Sequence, residues 1–334
     1  MKSCEFQAPR VPDQLEPLID DRLLEIHGEW QELSLSDVKA QMPNPITIAT
    51  NDGQGVRAAI LKPTGFDGDM SQALVIDLPH QQAWKPSMYI RSEITRQVVA
   101  PELPAVVFPN NSLNDLYYDF TDSEYERLDN GDISPLAEKQ VRILEELNVA
   151  KIAITGYSLG GKVALGVGDV GSDTIEITHI NADEAPSSVE RSAKELQKDF
   201  LQSGGWGEQC AAIRDARLPV LSQALNMSRL LMDYARFGVA TRNKQNRAIH
   251  NAMTDTVSEV LLGTIISNPD VKIKMGRVGM SNLVIPTFIY APHSIPESPN
   301  FREIVYTGDA AHKHATGDNV FAHALMAKHG ISTV

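Results

Sequence analysis

The stretch Ile152-Ala153-Ile154-Thr155-Gly156-Tyr157-Ser158-Leu159-Gly160-Gly161 decides the fold. A short apolar run ends in Gly-x-Ser-x-Gly and passes directly into Lys162-Val163-Ala164-Leu165, a helix-compatible segment. Strand, sharp turn and helix start form the context in which this motif lifts a serine hydroxyl clear of the backbone. The small residues have a mechanical purpose. A serine in such a turn occupies a strained backbone position, and Gly156 and Gly160 remove Cβ atoms that would collide across it. Amides at the helix start then face any negative charge developing beside the serine. Residues 156–162 also fit the opening of a phosphate loop, G-x-x-x-x-G-K, but Val163 stands where that loop needs a magnesium-binding hydroxyl.

Strand and helix patterns alternate outward from the motif. Leu15, Leu18, Ile19, Leu23, Ile26 and Trp30 predict an N-terminal helix that Pro43 and Pro45 terminate. Segments 46–50 and 55–61, joined across Asp52-Gly53, read as an antiparallel pair. Residues 73–78, apolar apart from Asp77, suit a strand covered on both faces, as do 105–110 and 152–155. Helices are predicted over 86–99 and from Ser134-Pro135 to about 148, with the Ser134 hydroxyl as a cap. After a strand at 175–180 the rhythm stops at Pro186, and 187–270 carries only helical patterns: 189–201, 220–237 and 252–266. Strands near 284–290 and 303–307 and a helix near 320–328 close the chain. The division is therefore an N-terminal helical extension (1–44), a first part of an α/β core (45–185), a helical insertion (186–280) and a second part of the core (281–334). An insertion between sheet strands commonly overhangs the carboxyl edge, where open α/β sheets bind ligands.

The 334 residues are 42% hydrophobic, enough for a sizeable core. With 30 Lys and Arg against 43 Asp and Glu, the net charge of -13 disfavours nucleic acid and anionic membrane surfaces as partners. Cys4 and Cys210 form neither a disulfide framework nor a zinc-ligand pattern. No run approaches a membrane span and the first residues lack a signal-peptide pattern, so the expectation is a cytoplasmic protein without a membrane span.

With the serine motif in its strand-turn-helix context, residues 45–334 resemble the α/β-hydrolase superfamily, as a capped serine hydrolase of esterase or lipase type. The resemblance implies a mostly parallel central sheet with a helical cap, and a serine, acid and histidine in chain order. It places the base in the last loop, where Ala310-Ala311-His312 fits best and His314 is the alternative. The acid is expected at Asp183, on the loop after the strand following the motif, with Glu184 beside it. Glu297 is the candidate from the 291–297 loop, where Ser294 holds the usual aspartate position. The oxyanion hole falls to the amides of Leu159 and Gln81, the latter next to His80 after the 73–78 strand.

Tyr157 and Trp84 are candidate pocket walls. Leu225, Met227, Leu230, Leu231, Met232, Tyr234 and Phe237 are more simply a packing face of the insertion. The Arg229, Arg236, Arg242, Lys244 and Arg247 run reads as a solvated helix face. The expected reaction is ester cleavage through an acyl-enzyme at Ser158, without metal or organic cofactor. The substrate is a small-molecule ester or amide, and homo-oligomerisation stays open. The alternatives are a non-hydrolytic lyase and a non-catalytic binding protein of the same fold.

Overall fold

The computed structural model describes residues 11, 13–78, 84–110, 118–183, 185, 244–256, 258–278, 298–306 and 318–332. A 3-10 turn (Glu16–Leu18) precedes α1 (Asp21–Glu32) and α2 (Leu35–Gln41). There follow β1 (Ile46–Ala49), β2 (Gly55–Leu61), β3 (Gln72–Asp77), α3 (Pro86–Val99), β4 (Ala105–Phe108), α4 (Asp122–Asp129) and α5 (Ser134–Glu146). Then come β5 (Lys151–Tyr157), α6 (Leu159–Val170) and β6 (Glu176–Asp183). The remaining described elements are α7 (Lys244–Asp255), α8 (Ser258–Ile265), β7 (Lys272–Val278), β8 (Phe301–Tyr306) and α9 (Asp318–Ser332).

The strands form one sheet in the order β1-β2-β4-β3-β5-β6-β7-β8. β1 pairs antiparallel with β2, and β2 with β4; every other pairing is parallel. This is an α/β-hydrolase fold, a mostly parallel sheet whose crossover helices bury both faces. Branched apolar residues explain the central strands: Leu74, Val75, Val106, Val107, Ile152 and Ile154 are all buried. On one face α5, α6 and α8 close a core of Leu136, Val141, Leu144, Val163, Leu165, Ile177 and Leu261. On the other, α3 and α9 pack together with α1, joining Ile94, Phe321, Leu325, Leu23 and Ile26. Gly330 lets α9 lie close to the sheet, because a Cβ there would sit 2.9 Å from the Lys274 side chain and still nearer that of Asn181.

Three local expectations change. The helix predicted over 252–266 divides into α7 and α8. Ser134 lies inside α5, and its amide is received by Asp132 Oδ1 at 2.9 Å. Most consequentially, residues 272–278, assigned from sequence to the insertion, are β7 and lie between β6 and β8. Lys272, Lys274 and Arg277 interrupt the apolar pattern of that strand and hide it from a hydropathy reading. The expected strand at 284–290 and the insertion helices at 189–201 and 220–237 lie outside the described residues. Among the described residues, no helix is long and apolar enough to cross a membrane.

Candidate active site

Ser158 stands between the end of β5 and the first residue of α6, the position its motif demands. Its φ of 55° and ψ of -128° make it one of two non-glycine residues with positive φ among those described. L-residues rarely adopt this conformation, and its cost is of order 1–3 kcal/mol. The flanking glycines permit it through close approach. A Cβ on Gly156 would lie 2.3 Å from the Gly160 carbonyl oxygen, and one on Gly160 would lie 2.3 Å from that of Asp77. Gly161 approaches Ala185, at 2.8 Å from its Cβ on the same test. The turn is thus wedged between the ends of β3 and β6.

The backbone ties the serine to its neighbour strand. The Ser158 amide donates to the Asp183 carbonyl at 2.8 Å, and the Gly161 amide donates to the Ser158 carbonyl at 3.0 Å. Leu159, one of the expected oxyanion donors, is the first residue of α6, where an amide has no intrahelical acceptor. Lys162, the would-be phosphate-loop cation, is fully buried and donates to the Thr256 carbonyl at 2.5 Å. It therefore serves packing of α6 against the end of α7.

Asp183 ends β6 in register with Tyr157, and its side chain is buried. Lys274 Nζ lies 2.6 Å from Asp183 Oδ1, and Asn181 Nδ2 donates to Oδ2 at 2.6 Å. The amine also donates to the Met326 carbonyl of α9 at 3.1 Å and lies 4.8 Å from the centre of the Tyr306 ring. Burial, opposed by Asp183, lowers the Lys274 pKa from its ordinary value. Asn181 Nδ2 also reaches Thr155 Oγ1 at 2.9 Å, so β5, β6, β7 and α9 share one buried polar cluster. Neither Lys274 nor Asn181 was singled out in the sequence. The available signal was a lysine interrupting an otherwise strand-like segment.

Tyr157 and Trp84 are placed by different neighbours. The Tyr157 ring, on the α3 and α9 face, packs 3.8 Å from that of His323, with the Arg91 guanidinium 5.6 Å from its centre. Arg91 is buried, and its Nε and Nη1 have no hydrogen-bond partner among the described residues. Trp84 Nε1 donates to the Pro43 carbonyl at 2.9 Å and its ring meets Tyr89 edge-on at 6.4 Å. A cavity of about 400 Å³ lined by Gln41, Pro43, Ile46, Leu61, Tyr89 and Glu93 lies along that antiparallel edge of the sheet.

A second polar cluster supports the end of β3. Asp77 accepts from Gln140 Nε2 at 2.7 Å and from Asn110 Nδ2 at 3.2 Å. Tyr118 donates to Asn110 Oδ1 at 2.9 Å, and Asn110 Nδ2 also holds the Leu78 carbonyl at 2.7 Å. Burial raises Asp77 to about 7, against the lowering effect of the two amides. Gln81, His312, His314, Glu184 and Glu297 lie outside the described residues, so the site described here comprises Ser158, Leu159 and Asp183 with their supports.

No protein-family model and no curated protein matches the chain. Solved structures do. An α/β hydrolase from Sphaerobacter thermophilus is 12% identical with a TM-score of 0.46, over 84% of this chain and 98% of that one. An esterase from Exiguobacterium antarcticum is 12% identical with a TM-score of 0.46, over 79% and 91%. A proline iminopeptidase from Mycobacterium smegmatis is 11% identical with a TM-score of 0.45, over 80% and 91%. Such distant likeness concerns the fold and does not select a reaction.

Proposed function

We propose that this chain is a serine hydrolase that cleaves a small or medium carboxylic ester through an acyl-enzyme at Ser158. The observation that carries the reading is the strained Ser158 backbone at the head of α6, held by glycines that admit no Cβ. In the proposed cycle His312 takes the Ser158 proton as Oγ attacks the ester carbonyl. The tetrahedral oxyanion receives the Leu159 and Gln81 amides. His312 returns the proton to the leaving alcohol, and then activates water to release the acid. Asp183 orients the imidazole; each carboxylate oxygen has two acceptor sites, so Lys274 and Asn181 leave capacity for a further donor.

The test is turnover of matched ester and amide panels by wild type and Ser158→Ala. Ester hydrolysis that falls to background in the variant supports the reading. Well-folded wild type without turnover of any ester or amide sinks it and favours a non-hydrolytic or binding role.

A further inference from the structure

Arg91 of α3 is 5% exposed, and two of its donors, Nε and Nη1, are unpartnered among the described residues. The one acid of α3, Glu93, is committed elsewhere. Its oxygens receive Arg96 Nε and Nη2 at 3.0 and 2.6 Å, and one of them also receives Gln97 Nε2 at 2.9 Å. Among the described residues the group that favours the Arg91 charge is Tyr157, whose ring centre lies 5.6 Å from the guanidinium. An arginine does not escape the cost of burial by losing its proton, and a ring face at that distance offsets only part of it.

Connectivity puts this cation at the end of the sheet where Ser158 stands. α3 follows the carboxyl end of β3 and α9 that of β8, so both helices turn their positive N-terminal ends to that edge. Helical side chains lean towards the start of their own helix, which carries Arg91 the same way. It meets Tyr157, the last residue of β5 and the neighbour of Ser158. His323 of α9 reaches the same ring, with centres 3.8 Å apart. In a chain of net charge -13, positive charge thus gathers beside the nucleophile.

We infer that Arg91 receives the carboxylate of an anionic substrate, a half-ester of a short dicarboxylic acid whose ester carbonyl lies at Ser158. This rests on the proposed ester cleavage at Ser158 and narrows its substrate class. A guanidinium holds a carboxylate by two parallel bonds along an edge that pairs Nη2 with either Nε or Nη1, and both edges contain an unpartnered donor. The acyl chain is short because Tyr157 and Ser158 are adjacent, with Cα atoms about 3.8 Å apart.

The experiment compares 4-nitrophenyl butyrate with mono-4-nitrophenyl succinate, which set a terminal methyl against a carboxylate on acyl chains of equal length. Fluorophosphonate labelling of Ser158 gives the competent fraction of each preparation. Wild type favours the charged ester in kcat/KM, and Arg91→Met lowers the ratio of charged to neutral ester about a hundredfold. A second arm needs no turnover. Succinate raises the melting temperature of Ser158→Ala but not of Ser158→Ala with Arg91→Met, and acetate at the same concentration raises the former less. An arginine that only packs changes both esters alike, and an unmoved ratio overturns the inference. Should Arg91→Met fail to fold, Arg91→Lys keeps a charge without the fork, and an unmoved ratio in that variant overturns it equally. Equal shifts with acetate and succinate make this a site for any small anion and overturn the assignment to substrate. Wild type that cleaves neither ester, yet gains an Arg91-dependent response to succinate, contradicts the hydrolysis and supports the carboxylate site.

Discussion

Asp77→Asn tests the electrostatics beneath the site with a magnitude that follows from one buried group. The Asp77 carboxyl group titrates near 7 in the folded chain against an ordinary value of 3.8, because burial disfavours its charge. Between pH 5 and 7 the native state keeps this proton while the unfolded chain has released it. The native state binds more protons, so this group makes stability fall as pH rises, and the loss is complete above the folded value. Two pH units correspond to about 2.7 kcal/mol. The group is half titrated at pH 7 and the variant lacks the titration, so its unfolding free energy relative to wild type rises by about 2.3 kcal/mol across that interval. Taking the difference removes the other carboxylates, provided they are independent of the substitution. The new amide also takes the place of an Asp77 oxygen, Oδ2, that has no hydrogen-bond partner among the described residues, which offsets both ends of the curve by about 1–3 kcal/mol without altering its slope. Urea unfolding of both proteins from pH 5 to 8 measures the effect. Parallel curves, or a relative advantage for the variant that shrinks as pH rises, would show that burial does not raise the Asp77 carboxyl group.

Ser158→Gly removes the side chain that the positive φ disfavours, and is expected to stabilise the fold by about 1–3 kcal/mol while abolishing labelling; thermal unfolding should show Ser158→Ala without this gain. Equal stability of the two variants would remove the strain argument. Gly160→Ala places a Cβ 2.3 Å from the Asp77 carbonyl oxygen and should cost about 1–3 kcal/mol with a large loss of serine reactivity. Denaturant unfolding and labelling at wild-type levels would contradict the wedged turn.

The motif and most of the central strands were legible because their signals are local. The β5 apolar run, two closely spaced glycines and an intervening serine suffice to define a turn that tolerates few other sequences. The antiparallel start was legible from two apolar segments across Asp52-Gly53, and β1 and β2 do pair there. β7 was not legible, because Lys274 points its charge into a buried cluster whose partners come from β6 and α9. Its compensation is nonlocal, so the lysine looks like a surface residue when read along the chain. α4 was also missed, although Thr121 and Glu124 form a capping box that a closer local reading would detect. Asp183 was a candidate only through the resemblance, as the acid expected after the strand that follows the motif, whereas its ion pair with Lys274 required the β6 and β7 register, in which Asn181 is opposite Lys274.

Intact-mass analysis after incubation with a small fluorophosphonate reads whether Ser158 is an activated nucleophile. One stoichiometric adduct is expected, mapped by peptide sequencing to Ser158 and absent from Ser158→Ala. Folded wild-type protein that remains unmodified, or that carries the adduct on another residue, would contradict it.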